Sequence, residues 1–150
     1  MRYWEDFSVG EVTELGGVDV TRDDIVEFAQ RYDPQPFHVD EAAAADGPVG
    51  GLVASGWHTA ALFMGLFVRG ILLDSASMGS PGVEELRWIA PVRPGDRLSA
   101  RVTVTDVQES SKRPDRGTIF TTSEVLNQDG VVVMTLKARG YFARRPSRNP

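Results

Sequence analysis

The residues best suited to chemistry are a carboxylate and an imidazole, Asp33 and His38, five positions apart in the segment Tyr32-Asp33-Pro34-Gln35-Pro36-Phe37-His38. A fully extended chain would hold their α-carbons about 17 Å apart, so they reach one substrate atom only if the segment folds back. If they converge, the pair binds a water molecule and moves its protons, because a carboxylate accepts hydrogen bonds and an imidazole both donates and accepts. The alternative is structural: Asp33 bonds amides of its own turn, and His38 is a satisfied core histidine.

A glycine at a predicted helix start is the second feature that suits chemistry. In Gly50-Gly51-Leu52-Val53-Ala54-Ser55-Gly56-Trp57-His58, Ser55 is a good N-cap and Gly56 has no side chain to block a carbonyl. Unpaired N–H groups at a helix start bind an oxyanion, helped by the helix dipole. A thioester oxygen held beside Ser55, Gly56 and Trp57 would gain enolate character as water adds at the β-carbon, and these donors would stabilise that charge. The alternative is that Gly56 only allows close packing of the helix on a sheet.

Helices must position both groups. Thr21 is a good N-cap, and the apolar stripe after it predicts a helix over residues 22 to about 32. Pro34 and Pro36 stop this helix, because a residue before proline avoids the helical region. Ser55 begins a second predicted helix that runs to about residue 73, and the acids at 40 and 41 predict a short helix over 41–45.

The second helix is apolar on nearly every face, and such a helix must be enclosed rather than laid on a surface. We therefore expect it at the centre of the fold. His58, three positions inside it, is expected to pack or to form a hydrogen bond. Four aromatic residues are assigned to the core, with one or two of them lining an acyl tunnel: Trp57, Phe63, Phe67 and Trp88.

The rest of the chain reads as strands joined by short turns. Turn signals occur at Pro94-Gly95-Asp96 and Asp129-Gly130. The predicted strands cover residues 11–20, 83–89, 97–107, 118–126 and 131–142. Consecutive strands of this kind imply an antiparallel sheet. One enclosed helix with one curled antiparallel sheet around it is the hot-dog arrangement, an α+β class, and the length suits a single domain over residues 1–150.

Composition excludes several functional classes. The chain has no cysteine and two histidines, so a disulfide framework and a thiolate zinc site are excluded, and we predict no metal or cofactor. The net charge of −5 disfavours non-specific nucleic-acid binding. The N-terminus carries acids where a signal peptide needs an apolar run, and the apolar stretch at 60–73 is shorter than a spanning helix. We predict a cytoplasmic protein with no membrane or nucleic-acid partner.

Two groups of arginines have open roles. Arg139 and the segment Arg144-Arg145-Pro146-Ser147-Arg148 form either a solvated tail or a rim that faces phosphate. Arg87, Arg93 and Arg97 flank a predicted strand and turn, where they are either ordinary surface residues or contacts for the phosphates of CoA.

The segment from Tyr32 to His38 resembles the catalytic loop of the MaoC-like dehydratases and (R)-specific enoyl-CoA hydratases, which usually read Gly-Asp-x-Asn-Pro-Ile-His. The stretch Gly51-Leu52-Val53-Ala54-Ser55-Gly56 is similar to that family's entry to its central helix. The strand and turn Glu85-Leu86-Arg87-Trp88-Ile89-Ala90-Pro91-Val92-Arg93-Pro94-Gly95-Asp96 are similar as well. The resemblance covers most of the chain, in the right order.

The resemblance implies roles for particular residues. Asp33 and His38 match the pair that activates water and transfers the proton to the α-carbon, and Gly56 matches the region whose amide polarises the thioester carbonyl. Several positions depart from the family pattern: Tyr32 replaces Gly, Gln35 replaces Asn, Ser55 replaces a frequent His, and Met64 stands about where some hydratases carry a serine.

The leading hypothesis is a hydro-lyase that hydrates a trans-2-enoyl thioester, or dehydrates a 3-hydroxyacyl thioester, on CoA or an acyl carrier protein. One alternative is a hot-dog acyl-CoA thioesterase, although the paired Asp33 and His38 point away from it. The other is a non-catalytic acyl-thioester binding subunit, which Gln35 and Met64 favour. Open edge strands and the resemblance both imply a homodimer or higher homo-oligomer.

Overall fold

The computed structural model describes residues 1–147 and contains one antiparallel sheet flanked by helices. The helices are Arg22–Tyr32 (α1), Pro36–Val39 (α2), Glu41–Ala45 (α3) and Gly56–Phe67 (α4), with a 3₁₀ turn at Trp4–Asp6 and a π-helical turn at Val68–Leu72. The strands are Val12–Asp19 (β1), Gly82–Trp88 (β2), Arg97–Glu109 (β3), Arg116–Leu126 (β4) and Val132–Ala143 (β5). Each predicted strand and each predicted helix is present, with ends shifted by a few residues.

The sheet has the strand order β1-β3-β4-β5-β2, so β1 and β2 are its edges. The two long hairpins β3–β4 and β4–β5 form its middle. Alternate residues of β3 are buried, as the alternation in the sequence predicts, because successive side chains of a strand point to opposite faces. These buried residues are Leu98, Ala100, Val102 and Val104. The predicted hot-dog arrangement of one curled antiparallel sheet on one central helix is confirmed.

Helix α1 begins and ends where the local chemistry dictates. The Thr21 hydroxyl accepts a hydrogen bond from the Asp24 amide at 3.1 Å, which satisfies one of the free N–H groups of the first turn. Ile25 and Ala29 are fully buried and face the core. The helix ends at Tyr32, two residues before Pro34. Asp33 therefore lies directly at the C-terminal end of α1.

Helix α4 packs on the sheet along one face only. Phe63 and Leu66 are buried there, and Ile71 continues the contact from the π-helical turn. The expectation that the helix is enclosed on all sides is wrong for the single chain, because the sheet covers one side and Trp57 and Met64 lie exposed on the other. An apolar sequence indicates that a helix face is suited to burial, but it does not indicate which surface covers that face.

The two tryptophans that were assigned to the core lie at the surface. Trp57 is 60% exposed and Trp88 is 46% exposed. Their rings pack edge to face, with centroids 5.1 Å apart. Trp88 belongs to the edge strand β2 and Trp57 to the outer side of α4, so neither can reach the core. Of the other two assigned aromatics, Phe63 is buried and Phe67 is half-buried.

The late arginines pair with acids of the N-terminal segment. Nε of Arg144 lies 3.3 Å from Oε1 of Glu5, and Nη2 of Arg145 lies 2.7 Å from Oδ1 of Asp6. The tail therefore contacts the 3₁₀ turn and is not fully solvated. Arg148 lies outside the described residues. The other candidate phosphate contacts also have protein partners: Arg87 pairs with Glu85, Arg97 with Asp19, and Arg139 with Glu84, while Arg93 donates to the Val49 carbonyl.

Within residues 1–147, every helix is too short or too polar to cross a membrane.

The buried face of α1 should carry most of its contribution to stability. Ile25→Ala leaves a cavity at a fully buried position and should lower the free energy of unfolding by about 2–5 kcal/mol. Gln30→Ala, on the exposed side of the same helix, should change it by less than about 0.5 kcal/mol. Urea unfolding followed by circular dichroism measures both values. Equal effects of the two substitutions would contradict the packing of α1.

Candidate functional site

The segment between Asp33 and His38 does fold back. The Asp33 amide donates to the Ala29 carbonyl at 2.9 Å, which closes α1. Pro36 then starts the single turn α2, where its fixed φ suits the first helical position, and the His38 amide donates to the Gln35 carbonyl at 2.9 Å. This turn brings Nε2 of His38 to 3.4 Å from Oδ2 of Asp33. The predicted convergence of carboxylate and imidazole is present.

The imidazole of His38 is held in one orientation. The ring is 6% exposed, and its Nδ1 lies 2.7 Å from the Val53 carbonyl oxygen. A carbonyl only accepts, so Nδ1 carries the hydrogen and donates it. In the neutral imidazole the lone pair therefore sits on Nε2, on the side of Asp33.

The carboxylate of Asp33 accepts two further hydrogen bonds. Ser55 Oγ donates to Oδ2 at 2.7 Å, and Gln35 Nε2 donates to Oδ1 at 2.7 Å. The pKa of Asp33 is lowered, chiefly by the Ser55 hydrogen bond; partial burial opposes this, while the Gln35 hydrogen bond and the charge of His38 reinforce it. Asp33 is therefore an anion at neutral pH. Sequence reasoning did not find the Ser55 contact, since 22 positions separate the two residues.

Gly56 opens α4 and has a second, steric reason to be glycine. As a residue of the first turn, it presents an N–H group that has no acceptor inside its own helix. A Cβ on Gly56 would lie 2.3 Å from the ring of Trp88, whose Nε1 donates to the Gly56 carbonyl at 2.8 Å. The close packing that the sequence left as an alternative is therefore real.

His38 and Gly56 line the same open cleft, of about 370 Å³. Trp88 and the chain that follows it form one wall, and Thr59 and Val133 lie on the inner side. Among the other candidate site residues, Asp33 is not part of the lining but contacts His38, which is, and Ser55 is fully buried behind Asp33. Trp57 is not part of the lining and only supports Trp88 from outside.

A second cavity, of about 340 Å³, lies farther along α4 between the helix and the sheet. Thr59 faces the cleft, and Phe63, one helical turn later, lines the cavity, so the two spaces are neighbours along the same helix face. On β5, Val133 lines the cleft and Leu136, three residues later, lines the cavity. The lining is mostly apolar and includes Phe67, Ile71, Val104 and Ile119. Pattern reasoning could assign these residues to a core but could not reveal a space among them.

His58 joins the two helices that carry the site. Its ring stacks on Phe28 of α1, with centroids 4.7 Å apart and planes 9° from parallel. Burial lowers the pKa of His58, and the charge of Asp24 opposes that shift. The predicted packing role of this histidine is confirmed.

In the part of the chain that the structure describes, no three histidine, aspartate or glutamate side chains lie together in a way that could hold a metal ion.

Comparison with known proteins identifies the family. The family model described as MaoC like domain matches residues 7–125. The uncharacterized protein YdeM of Bacillus subtilis is 33% identical over 129 residues, which cover 86% of this chain and 90% of that protein. A 3-hydroxybutyryl-CoA dehydratase of Methylorubrum extorquens is 31% identical over 116 residues, or 74% of this chain and 69% of that protein.

Solved structures agree over nearly the whole chain. The MaoC-like dehydratase from Rhodospirillum rubrum has a TM-score of 0.91 and 42% identity, covering 98% of this chain and 100% of that one. The (R)-hydratase from A. caviae involved in PHA biosynthesis has a TM-score of 0.73 and 26% identity, covering 95% of this chain and 99% of that one. With the fold, the paired carboxylate and imidazole and the family model in agreement, the chain belongs to the MaoC-like dehydratase family.

Proposed function

We propose that this protein hydrates a trans-2-enoyl thioester, or dehydrates the corresponding 3-hydroxyacyl thioester. One observation carries the proposal: Nε2 of His38 lies 3.4 Å from Oδ2 of Asp33, at a cleft that the first residue of α4, Gly56, also lines. A water molecule can bridge the carboxylate and the imidazole, while the free amide lies on the same cleft. An addition of water that passes through an enolate needs a group that activates the water and a donor that stabilises the enolate oxygen.

The Gly56 amide and the pair of Asp33 and His38 have different roles in the reaction. The thioester oxygen accepts a hydrogen bond from the Gly56 N–H, and this bond strengthens as the oxygen gains negative charge. Asp33 and His38 hold the water that supplies hydroxide to the β-carbon and a proton to the α-carbon. The cleft that Gly56 and Trp88 line, with a volume of about 370 Å³, has room for the planar acyl thioester.

The named relatives support the reaction class. The relative from Methylorubrum extorquens is named a 3-hydroxybutyryl-CoA dehydratase, and the A. caviae structure is an (R)-hydratase. Both names describe water leaving or entering a substrate. CoA and acyl carrier protein are both compatible carriers, and the cytoplasmic location expected from the sequence stays a prediction.

We place the acyl chain in the second cavity. The chain would enter from the cleft past Thr59 and continue past Phe63 between α4 and the sheet. An apolar lining suits an alkyl chain, because burial of each methylene is favourable by about 0.8 kcal/mol. This assignment makes the protein suited to acyl groups longer than four carbons.

We also propose that the protein forms a homodimer. Among residues 1–147, the edge strand β2 has no partner strand on its outer side. Val83 and Trp88 of β2 and Ile89 directly after it are exposed, as are Trp57 and Met64 on the outer side of α4. Exposed apolar groups beside an open strand edge are suited to burial against a second copy of the chain.

Substitution of the catalytic pair tests the reaction. Asp33→Asn and His38→Asn should each lower kcat by at least about a hundredfold, because each removes a group that holds or moves the proton. Asparagine at position 38 retains an N–H donor for the Val53 carbonyl. The assay follows loss of the enoyl absorbance of crotonyl-CoA and longer enoyl-CoAs, with a thiol reagent in parallel.

Glu27→Gln is the matched control, since it neutralises an exposed carboxylate on the same helix as Asp33 and should leave kcat unchanged. Retained melting temperatures would show that the site variants fold. Wild-type rates in either site variant would refute the proposed roles. Release of free thiol would assign the protein to thioester hydrolysis, and tight binding without turnover would indicate a binding subunit.

Filling the second cavity tests the position of the acyl chain. Ala138 lines the cavity, and Ala138→Phe places a ring inside it. We expect a loss of about tenfold or more in kcat/KM for ten-carbon enoyl-CoA, and a change of less than about twofold for crotonyl-CoA, because the short chain ends before the cavity. Parallel losses on both substrates would contradict this placement.

Disruption of the β2 edge tests the homodimer. Light scattering of the wild type should give twice the mass of one chain, and Val83→Lys should shift it towards one, because a charge on the edge resists burial. Val12→Lys is the matched control, as Val12 is similarly exposed on the opposite edge strand β1. A monomeric wild type, or an equal effect of both variants, would contradict the proposed interface.

A further inference from the structure

The two oxygens of the Asp33 carboxylate have fixed and different partners. Oδ1 accepts a hydrogen bond from Gln35 Nε2, and Oδ2 accepts one from Ser55 Oγ, each at 2.7 Å. The Ser55 hydroxyl itself accepts from the Trp57 amide at 3.3 Å, which directs its hydrogen towards Asp33. Both donors point at the carboxylate, so the surroundings of Asp33 favour its ionised form over its protonated form.

Burial makes the Ser55 contact difficult to exchange. Ser55 is 0% exposed, so water cannot take the place of Asp33 as the acceptor for its hydroxyl. A proton on Oδ2 would compete with the Ser55 hydrogen for the same oxygen and leave a buried donor without a partner. A buried unsatisfied donor is costly, so the contact resists protonation of Asp33.

The surroundings of His38 differ from those of Asp33. Its Nδ1–H is committed to the Val53 carbonyl, which leaves Nε2 as the one ring position that can gain or lose a proton. Nε2 lies 3.4 Å from Oδ2 of Asp33, and His38 lines the cleft. The pair therefore places the one ring nitrogen that is not committed to Val53 beside a carboxylate whose surroundings favour its anion.

We propose that Ser55 and Gln35 are positioning residues that keep Asp33 a permanent anion, so that Nε2 of His38 alone carries the proton between water and the α-carbon. This assignment of roles rests on the proposed hydration. Neither positioning residue touches the substrate, and both act through Asp33.

In the proposed reaction, His38 is the only group that carries a proton, and all atoms and electrons balance. In hydration, the water oxygen bonds to the β-carbon, a water proton moves to Nε2, and the C=C electron pair shifts into the thioester enolate. The imidazolium then gives that proton to the α-carbon, which restores the neutral ring and yields the 3-hydroxyacyl thioester. Asp33 accepts a hydrogen bond from the second water hydrogen and keeps its charge throughout. Dehydration follows the same steps in reverse.

Titration of Asp33 tests the positioning without reference to activity. Carbon-13 NMR should show a higher midpoint for the Asp33 carboxyl in Ser55→Ala and in Gln35→Ala than in the wild type, because each removes a donor that stabilises the anion. Gln35 is exposed, so its variant should fold even if Ser55→Ala is unstable. Ser75→Ala is the matched control, since Ser75 is a buried serine that donates to the Ile71 carbonyl and should leave the midpoint unchanged. Unchanged midpoints in both site variants would overturn the proposal.

Kinetics test the division of roles. Ser55→Ala should shift the acidic limb of the kcat–pH profile to higher pH with little change in KM, so that the loss in kcat is largest at acidic pH and shrinks as pH rises and Asp33 ionises again. Asp33→Asn should retain at least about tenfold more activity than His38→Asn, because the carboxylate only stabilises the carrier. Equal losses in these two variants would overturn the role of His38 as sole carrier. Shifted carboxyl midpoints in a protein without turnover would uphold the positioning and refute the proposed hydration instead.

Discussion

The hydrogen bond from Ser55 to Asp33 joins the end of α1 to the start of α4, and the rest of the site is arranged around it. The hydroxyl is buried, so the contact holds the carboxylate in position, and it lowers the pKa of Asp33. With that charge in place, the imidazole of His38 has an anionic neighbour at its one open nitrogen. The same N-cap also begins the helix whose first residue, Gly56, lines the cleft.

The larger fold serves to hold these two helix ends together. The sheet buries one face of α4, and the stack of His58 on Phe28 ties α4 to α1. On the other side, Trp88 of the edge strand packs over Gly56 and donates to its carbonyl, so the sheet edge forms a wall of the cleft. A rigid strand and two helices therefore determine the cleft geometry, which a mobile loop alone could not do.

Several parts of the site follow from the sequence by local physics. Pro34 and Pro36 had to end α1, as predicted, whereas the turn α2 that brings His38 back to Asp33 was left open by the sequence. Ser55 was recognisable as an N-cap because serine satisfies free amides at a helix start. The exposure of Trp57 and Trp88 was predicted wrongly, because hydrophobicity indicates a preference for burial while strand order decides which residues lie at an edge.

The sequence by itself determined the α+β class and the sequence positions of the helices and strands. These depend on caps, prolines and periodicity, which act over a few residues. Only the tertiary structure decided that Ser55 reaches Asp33, that Val53 orients the ring of His38, and that an apolar cavity lies beside the cleft along α4. Such contacts join residues far apart in the chain, and their distances depend on how the sheet packs on α4, a result of the whole core rather than of any local pattern.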